Sequence, residues 1–275
     1  MIRGEGYDTL VDLSLGREFS FFAMLLGIRR RVGFHFKGRG LFLTDKIPIA
    51  GYSDRPVIEY QFRILDELGI SYNTNDPRLS LKIPDQARSG VQSLLAASRI
   101  GENEKILAVA PGGGKSWGKD SIYKQWDPER FAGAVNILLR QSNLRVVLVG
   151  DKEEEELIQK VSQALSVKAV SMNGRPLEEV CALFLRAEAV LCNDGGLLHL
   201  ANALGSKTVS IFGPTDERVY GPYGDRTVHE EVTQPVACRP CYKNFSFPPC
   251  PYNRRCLDDL SIETVAAAVQ KVLKF

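Results

Sequence analysis

The sequence predicts an α/β protein whose parallel strands are covered by helices on both faces. From residue 101 onward, short apolar runs alternate with amphipathic segments of helical spacing. The runs are nearly continuous in Val, Ile, Leu and Ala, as strands buried on both sides require. Turns rich in Gly and Asp follow the runs, where a doubly wound sheet presents its ligand-binding edge.

The elements follow in order. Lys105 to Ala110 reads as a buried strand, and Pro111-Gly112-Gly113-Gly114 as the turn after it. Asp127 is a good N-cap and Pro128 suits the first helical position, so a helix starts there, with Phe131, Val135, Leu138 and Leu139 at helical spacing. Arg145 to Gly150 is a strand, Glu153 to Leu165 a helix, and Lys168 to Ser171 a short strand. Pro176 to Arg186 is a helix with Leu177, Val180, Leu183 and Phe184 on one face. Glu188 to Cys192 forms a strand, a helix starts at Gly196, and Thr208 to Phe212 forms the next strand. Ser261 to Leu273 is the last helix.

Residues 1–98 are also α/β but hold only about two strand–helix units. Tyr7 to Leu13 and Arg30 to Phe34 read as strands, and Arg55 to Gly69 as a long amphipathic helix closed by its glycine. The apolar segment Phe19 to Ile28 is far shorter than the roughly 20 residues of a membrane span. It reads as a buried amphipathic helix ended by Arg29-Arg30-Arg31, with a membrane-surface face as the alternative. The expected organisation is an incomplete N-terminal Rossmann-like domain, 1–98. A complete one, 99–275, follows, with a cysteine-rich loop at 238–256 and a final helix.

The chain has 275 residues, 44% hydrophobic and 25% charged, the profile of a globular protein. A net charge of +2 without a basic tract argues against a nucleic-acid partner. Six clustered cysteines are too few for a disulfide scaffold of this size, so a cytoplasmic setting is expected.

The candidate site is the turn Asn193-Asp194-Gly195-Gly196 between an apolar strand and a helix. Free N–H groups and the positive end of a helix dipole make such a turn an anion site. His199, one turn into the helix, can face the same anion. The loops Pro111–Gly114, Gly150–Glu154 and Gly213–Asp216 end at the same edge. Their glycines allow close backbone approach, and Glu153 or Glu154 can accept from ribose hydroxyls.

Asp194-Gly195-Gly196-Leu197-Leu198-His199-Leu200-Ala201-Asn202-Ala203-Leu204, followed by Phe212-Gly213-Pro214-Thr215-Asp216, resembles glycosyltransferase family 9, the ADP-heptose:lipopolysaccharide heptosyltransferases. Lys124-Gln125-Trp126-Asp127-Pro128-Glu129-Arg130-Phe131 is similar to another family segment. The resemblance implies a GT-B architecture and inverting sugar transfer that requires no cofactor. The nucleotide-sugar donor, an ADP-sugar, would bind Gly113, Gly114, Lys124, Glu154, Asp194, Gly195, Gly196 and His199. Asp194, Gly195 and Gly196 would hold the diphosphate through backbone N–H groups, with Lys124 on the phosphates and Glu154, or Glu153, on the ribose. Gly195 stands where the family usually has Ser or Thr, which removes a hydroxyl donor. The acceptor would be a lipopolysaccharide-core or related glycan, reached by peripheral contact with the inner membrane. The general base, an Asp early in the family's first domain, has no match in this sequence. A non-catalytic nucleotide-sugar-binding module is therefore the alternative, and a two-domain nucleotide-sugar epimerase a third.

Cys238, Cys241, Cys250 and Cys256 fit a tetrathiolate zinc site in number, though the second pair is loosely spaced. A structural zinc, disulfides and free thiols all remain open. Cys181 and Cys192 read as buried, apolar-type cysteines.

Overall fold

The computed structural model describes residues 4–73, 79–113 and 118–274. The chain divides into two compact units. One comprises Met1–Asp76, Arg218–Tyr220 and Tyr242–Pro248; the other comprises Pro77–Glu217, Gly221–Cys241 and Pro249–Phe275.

The smaller unit holds three parallel strands in the order β1 (Thr9–Asp12), β2 (Arg30–His35), β3 (Asp45–Pro48). Val32, Phe34 and Ile47 from the sheet pack with Tyr60 and Ile64 of α2 (Val57–Leu68). Gly69 ends α2 in the left-handed conformation with φ of 71°, as its place after the apolar stripe predicts. Phe245 packs edge-on against Phe36 and Tyr52, with centroids 4.9 and 4.7 Å away.

The helix expected between β1 and β2 forms as α1 (Glu18–Leu25), but not as a buried element. Only the small residues Ser20 and Ala23 are buried. Phe19, Phe22 and Leu25 stand outward, about 60% exposed. Apolar composition all round the helix hid which side meets the sheet.

The larger unit is a six-stranded parallel sheet in the order β6-β5-β4-β7-β8-β9. These strands are β4 (Ile106–Ala110), β5 (Arg145–Leu148), β6 (Val170–Ser171), β7 (Ala189–Asn193), β8 (Thr208–Phe212) and β9 (His229–Thr233). Every residue of β4, β7 and β8 is buried, which explains their unbroken apolar runs. Strand order reverses between β4 and β7, so the loops leaving these two strands diverge and open a crevice.

The helices are α3 (Asp85–Ala97), α4 (Pro128–Leu139), α5 (Glu155–Ala164), α6 (Leu177–Arg186), α7 (Gly196–Ala203), α8 (Glu217–Tyr220), α9 (Arg255–Asp258) and α10 (Ile262–Leu273). Asp127 caps α4 by accepting from the N–H groups of Glu129 and Arg130 at 2.9 and 3.2 Å. Ser261 caps α10 through the Thr264 N–H at 3.1 Å. α3 packs on α6, so the unit boundary falls near residue 77 and α3 belongs with the larger unit. Among the described residues no helix is long and apolar enough to cross a membrane.

β9 opens on His229, whose Nδ1 lies 2.8 Å from Thr208 Oγ1 and whose Nε2 lies 3.1 Å from Asn202 Nδ2. Burial lowers the His229 pKa, partly opposed by Asp225. The unfolded chain therefore takes up a proton near pH 6.5 that the native state resists. This contribution to stability is complete above about pH 6.5 and is lost as pH falls toward the lowered native value. We expect the urea midpoint to fall between about pH 7 and 5.5, and His229→Gln to flatten that fall. Parallel slopes in both proteins would refute this role of His229.

Candidate nucleotide-sugar site at the strand-order reversal

The site is assembled on the carboxyl ends of β4 and β7. Asn193, the last residue of β7, is buried and uses both ends of its amide. Nδ2 donates to the Pro111 and Gly112 carbonyls at 2.7 and 3.2 Å, and Oδ1 accepts from the Trp126 N–H at 3.1 Å. One side chain thus joins the loop after β4, the segment leading into α4 and the turn after β7. Sequence reading treated Asn193 only as part of the turn; its place beside a Gly-Gly pair was the available signal.

Asp194 follows, also buried. Its Oδ2 lies 2.9 Å from Lys124 Nζ and accepts from Thr215 Oγ1 at 2.7 Å. The expected loops after β7 and β8 therefore meet at one carboxylate. The Asp194 backbone departs from expectation. Its N–H donates to the Ile211 carbonyl at 3.0 Å, extending the β7–β8 ladder, and is not free for an anion. The amides left at the head of α7 are those of Gly195 and Gly196. Gly195 has extended backbone, with φ of 175° and ψ of −174°, so no glycine is required there. A Cβ on Gly195 would meet only the Gly113 carbonyl at 3.4 Å, and one on Gly196 would meet nothing within 4 Å.

Gly112 and Gly113 need their lack of a side chain. A Cβ on Gly113 would lie 2.9 Å from Gln125 Cγ, and one on Gly112 would collide with the Glu154 carboxylate. Glu154 is fixed there because its Oε2 accepts from the Asp151 N–H at 3.0 Å while Asp151 accepts from the Glu153 and Glu154 amides. This capping box closes the short turn Lys152–Glu154 that leads into α5. It brings the Glu154 carboxylate to the site and leaves Glu153 on the helix start. Gly114 lies outside the described residues.

His199 is exposed, one turn into α7. Surrounding protein lowers its pKa, Asp194 raises it and Lys124 lowers it again, with burial the largest influence. The balance favours a neutral imidazole in the empty site.

Beside these groups lies a cavity of about 350 Å³. Gly112, Gly113, Gly195 and Gly196 line one side, Asp151 and Glu154 the rim, and Leu177, Val180 and Leu200 an apolar wall. Leu177, at the first turn of α6, is 53% exposed and lines this cavity, while Leu183 on the same helix is buried.

The cysteine-rich loop holds the site from outside. Arg239 donates to the Gly213 and Thr215 carbonyls at 2.5 and 3.1 Å and pairs with Glu217 at 2.9 Å. Arg254 donates to the Ile122 and Gln125 carbonyls at 3.0 and 3.2 Å. All six cysteines are free thiols. Cys181 and Cys192 are buried as expected. Burial and neighbouring thiols raise the pKa of Cys241, and they push that of Cys256 up to about 11. Among the described residues no three His, Cys, Asp or Glu side chains are gathered to hold a metal ion. Cys256 packs into the apolar core beside Leu257 and Leu260, and Cys250 Sγ accepts from the Arg254 N–H at 3.3 Å. The four thiols as they stand do not fit a tetrathiolate zinc site.

Comparison with known proteins gives this geometry a lineage. The chain is 26% identical over 224 residues to lipooligosaccharide heptosyltransferase 2 of Campylobacter jejuni, covering 80% of this chain and 65% of that protein. The chain thus spans about 65% of the length of the curated relatives it matches. The glycosyltransferase family 9 structure from Veillonella parvula superimposes with a TM-score of 0.77 at 20% identity, covering 99% of this chain and 76% of that one. The E. coli ADP-heptose lps heptosyltransferase II superimposes with a TM-score of 0.72 at 17% identity, covering 99% and 78%. These likenesses bear out the expected α/β, GT-B-type fold. The family description "Glycosyltransferase family 9 (heptosyltransferase)" matches residues 1–247, and the chain belongs to that family.

Proposed function

We propose that this chain binds a nucleoside diphosphate sugar, ADP-heptose in the first instance. It transfers the sugar with inversion to a lipopolysaccharide-core or related glycolipid acceptor, at the cytoplasmic face of the inner membrane. The observation that carries the reading is the meeting of Gly112–Gly113, Gly195–Gly196, Lys124 and His199 at the strand-order reversal. The likeness to the E. coli ADP-heptose lps heptosyltransferase II supports the choice of donor.

In this reading the base lies on the apolar wall of Leu177, Val180 and Leu200, and Glu154 accepts from the ribose. The diphosphate sits over the head of α7, where the Gly195 and Gly196 amides and the helix dipole point at it. Negative charge grows on the departing diphosphate as the glycosidic bond breaks. Fixed N–H dipoles, the Lys124–Asp194 dipole and a His199 that gains a proton meet that charge with little reorganisation. Asp194 acts indirectly: it holds Lys124 and the Thr215 loop.

Isothermal titration tests the donor assignment. ADP is expected to bind more tightly than UDP or GDP, and Lys124→Ala and His199→Gln to weaken ADP by about tenfold each. A folded protein that binds none of the three nucleotides would overturn the donor site. Diphosphate binding also favours protonated His199. ADP affinity should therefore rise more steeply from about pH 7.5 to 6 in the unmodified protein than in His199→Gln. Identical pH profiles would return His199 to a packing role. Glu154→Gln and Gly112→Ala, which displaces the Glu154 carboxylate, should each weaken ADP while leaving inorganic diphosphate binding unchanged. Equal losses for both ligands would remove Glu154 from the ribose.

A further inference from the structure

We propose that the outward face of α1, with the neighbouring loop at 37–41, docks on an anionic lipid bilayer. Phe19, Phe22 and Leu25 recur three residues apart along α1 and are 64%, 59% and 59% exposed. The loop is held against the helix, with the Phe42 and Phe21 rings 4.9 Å apart, and it presents Leu41, 65% exposed. Four large apolar side chains thus share one surface formed within the smaller unit. Scattered apolar residues need no explanation, but a contiguous apolar patch marks an interaction surface.

Charge identifies the occupant. Residues 13–44 carry six Lys or Arg against a single acid, Glu18. Arg30 and Arg31 are tied to Asp45 and to backbone carbonyls. Arg17, Arg29, Lys37 and Arg39 are exposed around the patch. Lys37 and Arg39 lie over the Phe36 ring, 5.0 and 5.7 Å from its centroid, and Arg39 also acts electrostatically on Glu18. The cations therefore border the same helix and loop. A second copy would bring an equally positive rim against this one and be repelled. An apolar strip of Phe and Leu edged by Arg and Lys matches the interface of an anionic bilayer, where rings enter the acyl boundary and cations meet headgroups. A membrane-borne acceptor, as in the proposed function, would be reached from such a surface. Docking is read without donor or acceptor, so the two readings fail separately.

Co-sedimentation with vesicles tests it, using phosphatidylcholine alone or mixed with phosphatidylglycerol. The protein should bind the mixed vesicles at least about tenfold better than the neutral ones, and high salt should weaken that binding. The double variant Phe19→Ser/Phe22→Ser and the double variant Arg29→Glu/Lys37→Glu should each lose about tenfold in binding to mixed vesicles. Both should keep the circular-dichroism spectrum and the urea unfolding transition of the unmodified protein, which shows that the fold survives. No sedimentation with either vesicle, or undiminished binding by both variants, would overturn the proposal. So would self-association in light scattering that Phe19→Ser/Phe22→Ser abolishes, because the face would then belong to a second copy.

Discussion

The larger unit is organised around a buried ion pair at the end of its central strand. Lys124 and Asp194 lie 2.9 Å apart with 10% and 4% of their side chains exposed. Neither charge tolerates that environment alone: removing one partner of a buried pair costs about 3–5 kcal/mol. The pair consequently fixes where the 118–124 turn, the β7–α7 turn and the Thr215 loop meet. Asn193 adds a neutral brace one residue earlier by joining the β4 loop to Trp126. Two consecutive residues, one amide and one carboxylate, tie together the connections that follow β4, β7 and β8.

The cysteine-rich loop then acquires a function that needs no metal. Two of its arginines hold opposite sides of the ion pair, Arg239 on the loop that presents Thr215 and Arg254 on the turn that presents Lys124. The Cys241 N–H adds a bond to the Pro214 carbonyl at 3.0 Å. These contacts use carbonyl groups that loops leave unpaired at a sheet edge. Charged donors to such carbonyls stiffen the loops without placing another cation in the cavity.

Much of this arrangement was legible because burial leaves a compositional trace. β4, β7 and β8 are buried throughout, and their apolar runs announced them. Asp127 and Gly69 announced a helix start and a helix end through local backbone requirements. β3 and β9 left no such trace. Asp45-Lys46-Ile47-Pro48 and His229-Glu230-Glu231-Val232-Thr233 are edge strands with few buried positions, and partners distant in sequence define them. The site was legible as a set of loops but not in the duties of its atoms. The Asp194 amide belongs to the ladder, its carboxylate belongs to Lys124, and Leu177 lines the cavity. Each of these depends on a neighbour more than 15 residues away.

The same accounting bears on how the site handles charge. With the carboxylate of Asp194 against it, Lys124 contributes a dipole more than a free cation. The positive potential at the head of α7 then comes mainly from oriented N–H groups, which in the proposed function would lose nothing when the diphosphate departs. A site lined by free cations would hold the product diphosphate as firmly as it stabilised the transition state. One built on a neutralised pair, a helix terminus and a histidine kept neutral when empty gains its last charge only by taking up a proton. In the proposed function the strongest interaction with the diphosphate is thus conditional on ligand, and the surrounding protein that lowers the His199 pKa sets that condition.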